Sequence, residues 1–210
     1  MDGYEARRRE MVETQIAARG IDDPRILSAF LRVPRHLFVP ASERVYAYSD
    51  QPLPIGHGQT ISQPYIVAEM CALARLEGGE RVLEVGTGSG YAAAILSHLA
   101  AEIYSVERIG VLAEHAAKLL RDQGYENVQV LHGDGYRGLP EHAAFDAVIL
   151  SAAPPEVPSP LLEQLSPGGR LIAPVGRENQ YLQVYRKTEK GFQRRIYGAV
   201  RFVEMKHGFS

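Results

Sequence analysis

The sequence has little of the residues that form disulfides, metal clusters or membrane spans. Cys71 is the one cysteine, which allows no internal disulfide and favours a reducing compartment. The seven histidines show no metal-ligand spacing, and no apolar run reaches the roughly 20 residues that span a bilayer. A net charge of −2 gives no general attraction for phosphate backbones or anionic lipid. We therefore expect a cytoplasmic monomer without a metal, whose partner is neither nucleic acid nor a membrane.

Length and composition predict a single domain over residues 1–210. A hydrophobic content of 45% in a chain of this length is enough for one substantial core. Three segments differ in their pattern: 1–79 contains helices and a long loop, 80–175 alternates between strands and helices, and 176–210 reads as a hairpin. No repeat separates them.

Residues 80–175 carry the pattern of a parallel sheet that is covered on both faces. Apolar strands are predicted at 81–86, 102–107, 127–131, 145–151 and 170–175, with helices at 89–100, 111–123 and 159–165. A hairpin that turns at Lys190 and Gly191 follows and closes the sheet edge in antiparallel fashion. The fold class is therefore α/β, a Rossmann-like, doubly wound and mostly parallel sheet.

The N-terminal segment is predicted as a helical and loop extension of this sheet. Two helices lie within 4–33, and a third covers 64–76 and is ended by Gly78 and Gly79. The stretch 36–63 between them is irregular and rich in proline and glycine. Because long irregular stretches in compact domains are usually functional, we expect 36–63 to contribute to a site.

The stretch VLEVGTGSGY places a glycine turn and a carboxylate at the end of the first predicted strand. Gly86, Gly88 and Gly90 give the spacing G-x-G-x-G, whereas the dinucleotide fingerprint is G-x-G-x-x-G. Glu84 at this place repels a pyrophosphate but attracts the sulfonium and ammonium groups of S-adenosylmethionine. The stretch therefore favours S-adenosylmethionine as the cofactor and disfavours a nicotinamide oxidoreductase.

Two further acids follow the next two strands. Glu107 in YSVER is placed to accept the ribose hydroxyls, and Asp134 in HGDGY is placed to accept from the adenine amino group. Structural alternatives stay open for each acid: Glu84 paired with an arginine, Glu107 paired with Arg108 or capping a helix, and Asp134 stabilising a turn. Three acids at three strand ends together favour one extended ligand.

The chain resembles the bacterial protein-L-isoaspartate O-methyltransferase family over nearly all of its length. The likeness runs through VPRHLFVP, GQTISQPYIVA, VLEVGTGSGY, YSVER, GDG, LSPGGRLIAPVG and VRFV. The resemblance implies the class I methyltransferase fold and methyl transfer from S-adenosylmethionine to the free carboxylate of isoaspartyl, and sometimes D-aspartyl, residues in damaged proteins. The product cofactor is S-adenosylhomocysteine, and the ester collapses to a succinimide, which initiates repair.

The resemblance also implies roles for individual residues. Ser62 in GQTISQPYIVA is the candidate catalytic residue, whose hydroxyl orients the acceptor carboxylate, and Thr60 and Ile61 bind substrate beside it. Gly135 of the GDG motif is expected to bind the cofactor together with Glu84, Gly86, Gly88, Gly90, Glu107 and Asp134. In the tail, Val200, Phe202 and Val203 are expected to bind the peptide through main-chain hydrogen bonds of an extended segment.

Alternatives to these assignments remain at this point. Ser62 or Gln63 is equally suited to cap the helix that starts at Pro64. Cys71, on an apolar helix face, favours core packing over nucleophilic catalysis. Other possible functions are a methyltransferase for small molecules or RNA, which the sequence SAAPPEVP disfavours, and a cofactor-binding scaffold without catalysis, which the intact glycine turn disfavours.

Overall fold

The computed structural model describes residues 3–208, so the ends of the predicted domain at residues 1, 2, 209 and 210 lie outside the described residues. Helix α1 spans Gly3–Met11 and continues as a π-helical turn over Val12–Ile16 and a 3₁₀ turn over Ala17–Arg19. Helix α2 spans Pro24–Arg32. Asp23 caps α2 by accepting a hydrogen bond from Arg25 N at 2.9 Å, which confirms the start predicted from Asp23 and Pro24.

The irregular stretch contains structure that its sequence pattern did not predict. Two 3₁₀ helices, Arg35–Phe38 and Ala41–Tyr46, are followed by a short antiparallel hairpin of β1, Leu53–Gly56, and β2, Gln59–Ile61. Helix α3 then spans Pro64–Ala74. The predicted end at Gly78 and Gly79 is wrong, because Arg75 adopts a left-handed conformation with φ of 54° and ends the helix earlier.

Seven strands form the central sheet. They are β3 Arg81–Val85, β4 Glu102–Glu107, β5 Val128–His132, β6 Phe145–Leu150, β7 Leu165–Val175, β8 Gln180–Thr188 and β9 Gly191–Val200. Their order is β5-β4-β3-β6-β7-β8-β9, with parallel pairing from β5 to β7 and antiparallel pairing of β7 with β8 and of β8 with β9. The predicted fold class and the C-terminal hairpin are confirmed.

Three helices connect the parallel strands: α4 Tyr91–Leu96, α5 Gly110–Asp122 and α6 Ser159–Glu163. The predicted helix over 89–100 is too long at both ends. Gly90 has a φ of 86°, so α4 begins only at Tyr91, and the chain turns after Leu96.

The alternation of side chains along the strands divides the core between the two faces of the sheet. Val82 and Ile103 pack with the N-terminal helices and α3, whereas Leu83 and Val106 pack on the opposite face with residues of α6. The N-terminal extension therefore shares one core with the sheet. Because the strand order reverses between β3 and β6, the carboxyl ends of these two strands mark the switch point where such sheets bind ligands.

Candidate active site

A cleft of about 830 Å³, counting its part open to solvent, lies at this switch point. It is enclosed by the carboxyl ends of β3, β4 and β6, by the β1–β2 hairpin and by the C-terminal tail. Of the predicted site residues, the cleft is lined by Thr60, Ile61, Ser62, Glu84, Gly86, Gly88, Glu107, Gly135 and Val203. Gly90, Asp134, Val200 and Phe202 do not line it. One cleft thus contains residues from the GQTISQPYIVA, VLEVGTGSGY and YSVER motifs.

The glycine turn connects β3 to α4 with three residues in the left-handed region. The φ angles are 96° at Gly86, 53° at Gly88 and 86° at Gly90, which explains the alternating glycines. Hydrogen bonds from Gly86 N to Val106 O and from Gly90 N to Thr87 O, both 2.8 Å, fix the turn. Above it, a Cβ added to Gly88 would lie 3.3 Å from the Ile55 side chain of β1. The hairpin therefore covers the glycine turn.

Glu84 is buried at the base of the cleft with one oxygen unpartnered. Its Oε2 accepts a hydrogen bond of 2.5 Å from the Ser105 hydroxyl, which contacts Thr87 Oγ1 at 2.6 Å. Its Oε1 makes no hydrogen bond with any of residues 3–208, and no arginine pairs with it there. Burial, and then the nearby Glu107, raise the pKa of Glu84 to about 8. Glu84 is therefore a buried carboxyl with one oxygen left unsatisfied among the described residues.

Glu107, at the end of β4, holds the glycine turn together. Its Oε2 accepts from Gly88 N and its Oε1 from Ile109 N, each at 2.9 Å, and Ile109 precedes the first turn of α5. Glu107 therefore accepts from the N-cap residue of α5, an arrangement similar to the alternative in which Glu107 caps this helix. Each carboxylate oxygen keeps one acceptor site, so the side chain still has capacity for ribose hydroxyls.

Asp134 is turned away from the cleft. Its Oδ1 accepts from Tyr136 N and its Oδ2 from Gly208 N, both at 2.9 Å, so the carboxylate stabilises the turn and holds the tail. The turn brings Gly135 so close to β3 that an added Cβ would lie 2.4 Å from Val85 Cγ1. The structure thus supports the turn alternative for Asp134, and its contact with adenine stays a prediction.

Ser62 lies between the cleft and a neighbouring cavity. It lines both spaces, is half-buried, and its hydroxyl makes no hydrogen bond to any residue in the described range. The N-cap position of α3 belongs to Gln63, which makes no side-chain cap bond. The capping alternative is therefore wrong for Ser62, and its hydroxyl is available to a ligand.

The neighbouring cavity is bounded by the tail after β9. It shares Thr60, Ser62, Ser151 and Val203 with the cleft and extends along Val200, Arg201 and Phe202. The Phe202 main chain is already occupied: its N–H donates to Gln180 Oε1 at 2.7 Å, and its carbonyl accepts from Gln180 Nε2 at 3.1 Å. Phe202 therefore presents its side chain, rather than free main-chain groups, to this cavity.

Two residues of the tail line the cleft although the sequence pattern did not predict them. Met205 and Lys206 reach the cleft because the tail crosses the ends of the strands, where Ala153 N donates to Val203 O and Met205 N donates to Ala153 O. Tyr136 reinforces this path by donating from its hydroxyl to Met205 O at 3.2 Å. These contacts join residues that are far apart in sequence, so no local sequence pattern predicts them.

The rest of the described chain offers no competing chemistry. Burial raises the pKa of the Cys71 thiol to about 12, so Cys71 is a core residue and not a thiolate nucleophile. Within residues 3–208, no three His, Cys, Asp or Glu side chains group as a metal site. None of the helices described there is long and apolar enough to cross a membrane.

Comparisons with known proteins cover nearly the whole chain. The family model for protein-L-isoaspartate(D-aspartate) O-methyltransferase matches residues 6–209. A protein-L-isoaspartate O-methyltransferase from Synechococcus sp. (strain JA-2-3B'a(2-13)) is 51% identical over 212 residues, covering 97% of this chain and 87% of the relative.

Two solved structures share the fold. A protein-L-isoaspartate O-methyltransferase superposes with a TM-score of 0.84 at 32% identity, over 93% of this chain and 65% of that one. A β-aspartate methyltransferase structure from Plasmodium falciparum, in complex with S-adenosyl-L-homocysteine, has a TM-score of 0.81 at 25% identity, covering 94% of this chain and 97% of its own.

Proposed function

The chain belongs to the protein-L-isoaspartate(D-aspartate) O-methyltransferase family, and from this premise we propose how its cleft works. The enzyme transfers a methyl group from S-adenosylmethionine to the free carboxylate of L-isoaspartyl residues in damaged proteins, which initiates repair through a succinimide. One observation carries this proposal: the glycine turn with Glu84 and the half-buried Ser62 line the same cleft. A cofactor site and an acceptor site are thus adjacent.

The residues of the cleft fit S-adenosylmethionine. The unpartnered Glu84 Oε1 matches a cationic group, the glycine turn leaves room for close approach, and Glu107 has acceptor capacity for ribose hydroxyls. We place Gly86, Gly88, Gly90 and Gly135 in the same set, with Asp134 acting on adenine or through the turn that positions Gly135. When bound, the cofactor supplies an electrophilic methyl group on a sulfonium and leaves as S-adenosylhomocysteine.

The chain's own contribution is placement, because the acceptor needs no general base. The free carboxyl of an isoaspartyl residue is its α-carboxyl, with a pKa of roughly 3.5, so it is already ionised at neutral pH. Ser62 donates its hydroxyl proton as a hydrogen bond to this carboxylate and fixes its direction toward the methyl group. Residues of the β1–β2 hairpin and of the tail line the cleft and so limit the access of water to it. Proximity of this kind contributes on the order of 7 to 11 kcal/mol to the rate.

The cavity beyond Ser62 is the proposed peptide site. Thr60 from the hairpin and Val200, Phe202 and Val203 from the tail line this cavity, and Ile61 lines the adjoining cleft. We propose that the peptide lies along the tail as an extended chain, which contacts the side chain of Phe202, because the Phe202 main chain is already bonded to Gln180. D-Aspartyl residues, which present a similarly displaced carboxylate, are a second acceptor class.

We further propose that the enzyme acts as a monomer in the cytoplasm without metal or nucleic acid. The single buried cysteine supports a reducing compartment, and the weak overall charge supports the absence of a nucleic-acid partner.

Labelled S-adenosylmethionine and a matched pair of peptides test the function. The pair differs only in one isoaspartyl or aspartyl residue. Label should enter the isoaspartyl peptide as a base-labile ester and should not enter the aspartyl peptide. Equal labelling of both peptides, or of neither, would contradict the proposal.

A further inference from the structure

The carboxylate of Asp50 connects its own loop to two other segments of the chain, one of which directly follows Ser62. Asp50, in the loop before β1, uses its Oδ2 to accept from Arg19 Nη1 at 2.8 Å and from Gln63 Nε2 at 2.7 Å. Arg19 lies in the 3₁₀ turn after α1, and Gln63 directly follows Ser62. The three residues connect the N-terminal helical turn to the segment that carries the candidate catalytic hydroxyl.

Arg19 is itself fixed by an aromatic ring. Its guanidinium carbon lies 3.4 Å from the centroid of the Tyr65 ring in the first turn of α3. The planar guanidinium thus stacks on Tyr65 while it pairs with Asp50, which limits the positions that the Asp50 carboxylate can take. Arg19 thus fixes the Asp50 carboxylate, whose Oδ2 also accepts the hydrogen bond from the Gln63 side chain.

Gln63 is free for this contact because of its place on α3. It occupies the N-cap position without a side-chain cap bond, and its side chain instead reaches Asp50. Gln63 also lines the proposed peptide cavity, next to Ser62. Any displacement of the Gln63 main chain is passed directly to Ser62 across one peptide bond.

We propose that Asp50 is a positioning residue for the acceptor: its bond to Gln63 holds Ser62 in the cleft. This inference rests on the proposed function of Ser62. The ion pair with Arg19 is partly exposed, with side-chain exposures of 43% and 31%, so the network contributes little to folding stability. Loss of this network should therefore lower kcat/KM for the peptide and leave S-adenosylmethionine binding unchanged.

Kinetics of five variants test the assignment: Asp50→Ala, Asp50→Asn, Gln63→Ala, the double variant of Asp50→Ala and Gln63→Ala, and Asp122→Ala. Asp50→Ala should lower kcat/KM for an isoaspartyl peptide about tenfold, with the KM for S-adenosylmethionine and the Tm unchanged. Asp50→Asn, whose amide carbonyl still accepts one hydrogen bond, should retain much of the activity. Gln63→Ala should add no further loss in the Asp50→Ala background, because both changes remove one shared contact.

Asp122→Ala is the matched control, because Asp122 also forms an exposed ion pair, with Lys118, but on α5. It should match the wild type. Wild-type kcat/KM in Asp50→Ala, additive losses in the double variant, or a loss of cofactor affinity equal to the loss with peptide would each overturn the proposal.

Hydrogen exchange separates this inference from the proposed function. In the complex with S-adenosylhomocysteine, amides of residues 59–66 should exchange faster in Asp50→Ala than in the wild type or Asp122→Ala. Unchanged exchange would overturn the positioning role whatever the activity. A wild-type enzyme that methylates no isoaspartyl peptide would overturn the proposed function, and the exchange result would still decide whether Asp50 holds this segment.

Discussion

At the residue scale, Ser62 and Gln63 are neighbours with separate tasks. Both belong to the stretch that leads into α3, yet the Ser62 hydroxyl faces ligand space, and the Gln63 amide faces Asp50. A serine before Pro64 reads as a helix cap by sequence alone, and the backbone geometry decides against that role, because α3 takes Gln63 as its N-cap. The Ser62 hydroxyl is thereby available to a ligand in the cleft.

Ser62→Ala should lower kcat by roughly tenfold to a hundredfold, because the lost donor bonds a charged carboxylate. The melting temperature should hardly move, since the hydroxyl bonds no described residue; a stability change within about 0.5 kcal/mol is expected. Steady-state kinetics, calorimetric S-adenosylmethionine affinity and thermal melts measure these quantities. Ser28→Ala, a half-buried serine in α2, is the control. A destabilised but fully active Ser62→Ala enzyme would remove Ser62 from catalysis.

Glu84 should give up a proton when the cofactor binds. With a pKa of about 8, its carboxyl is mostly protonated near neutral pH, and a bound cation lowers that pKa. Calorimetry at about pH 7 in buffers of different ionisation enthalpy should therefore show release of close to one proton per site. Glu84→Gln should abolish the release and weaken binding. Binding enthalpies that are independent of the buffer would show that Glu84 does not face a cofactor cation.

At the element scale, the close approach of the turn after β5 to β3 sets the shape of the cleft. Gly135 packs against Val85, whereas Gly133, two residues earlier, has more space: an added Cβ would lie 3.6 Å from Val106 Cγ1. Neither glycine has a φ in the left-handed region. The two positions therefore differ in available space and not in backbone strain.

Gly135→Ala should destabilise the protein by about 1–3 kcal/mol, because the new methyl group displaces Val85 at the base of the cleft. Affinity for S-adenosylmethionine should fall with it, while Gly133→Ala stays near the wild type in both respects. Denaturant unfolding and calorimetry give the two quantities. Equal behaviour of the two variants would contradict the role given to the Gly135 contact.

Sequence patterns located the strands of the sheet within a few residues at most ends, because buried parallel strands are continuous apolar runs bounded by polar turns. The β1–β2 hairpin escaped prediction, since its strands have only four and three residues and contain Pro54 and Gly56. The path of the tail was not predicted either, for a different reason. Its anchors, such as Gly208 N on Asp134 Oδ2, join residues 74 positions apart, and only the folded chain brings them together.

The same limit applies to the site. Glu84 and the glycine turn were predicted from chemistry and local spacing, whereas Ser62 was assigned through the family resemblance; the structure places residues of all three at one cleft, and their roles stay predictions. The occupation of Glu107 and Asp134 by backbone N–H groups was not predicted, since it depends on how α5 and the tail are seated. Glu107 therefore organises the cleft that it lines, whereas Asp134 organises the turn and the tail beside the cleft.

At the scale of the whole molecule, the buried Glu84 couples stability to pH. Its pKa rises from an ordinary value of 4.5 to about 8 on folding, so the folded state binds the proton more tightly than the unfolded chain. This contribution is fully present below about pH 4.5 and is lost as the pH rises through about 8. Without cofactor, the Tm of the wild type should fall relative to Glu84→Gln over that window. Parallel Tm profiles of the two proteins would contradict this coupling.

The central claim is that one cleft joins an S-adenosylmethionine site to a site for isoaspartyl carboxylate. The most direct measurement is kcat/KM for methyl transfer to two peptides that are identical except for one isoaspartyl or aspartyl linkage, with methanol released by mild base as the readout. If one cleft serves both the cofactor and the acceptor, the isoaspartyl peptide should turn over at a rate that depends on Ser62, and the aspartyl peptide should give only background methanol. Comparable turnover of both peptides, or isoaspartyl turnover that is unchanged in Ser62→Ala, would contradict the central claim.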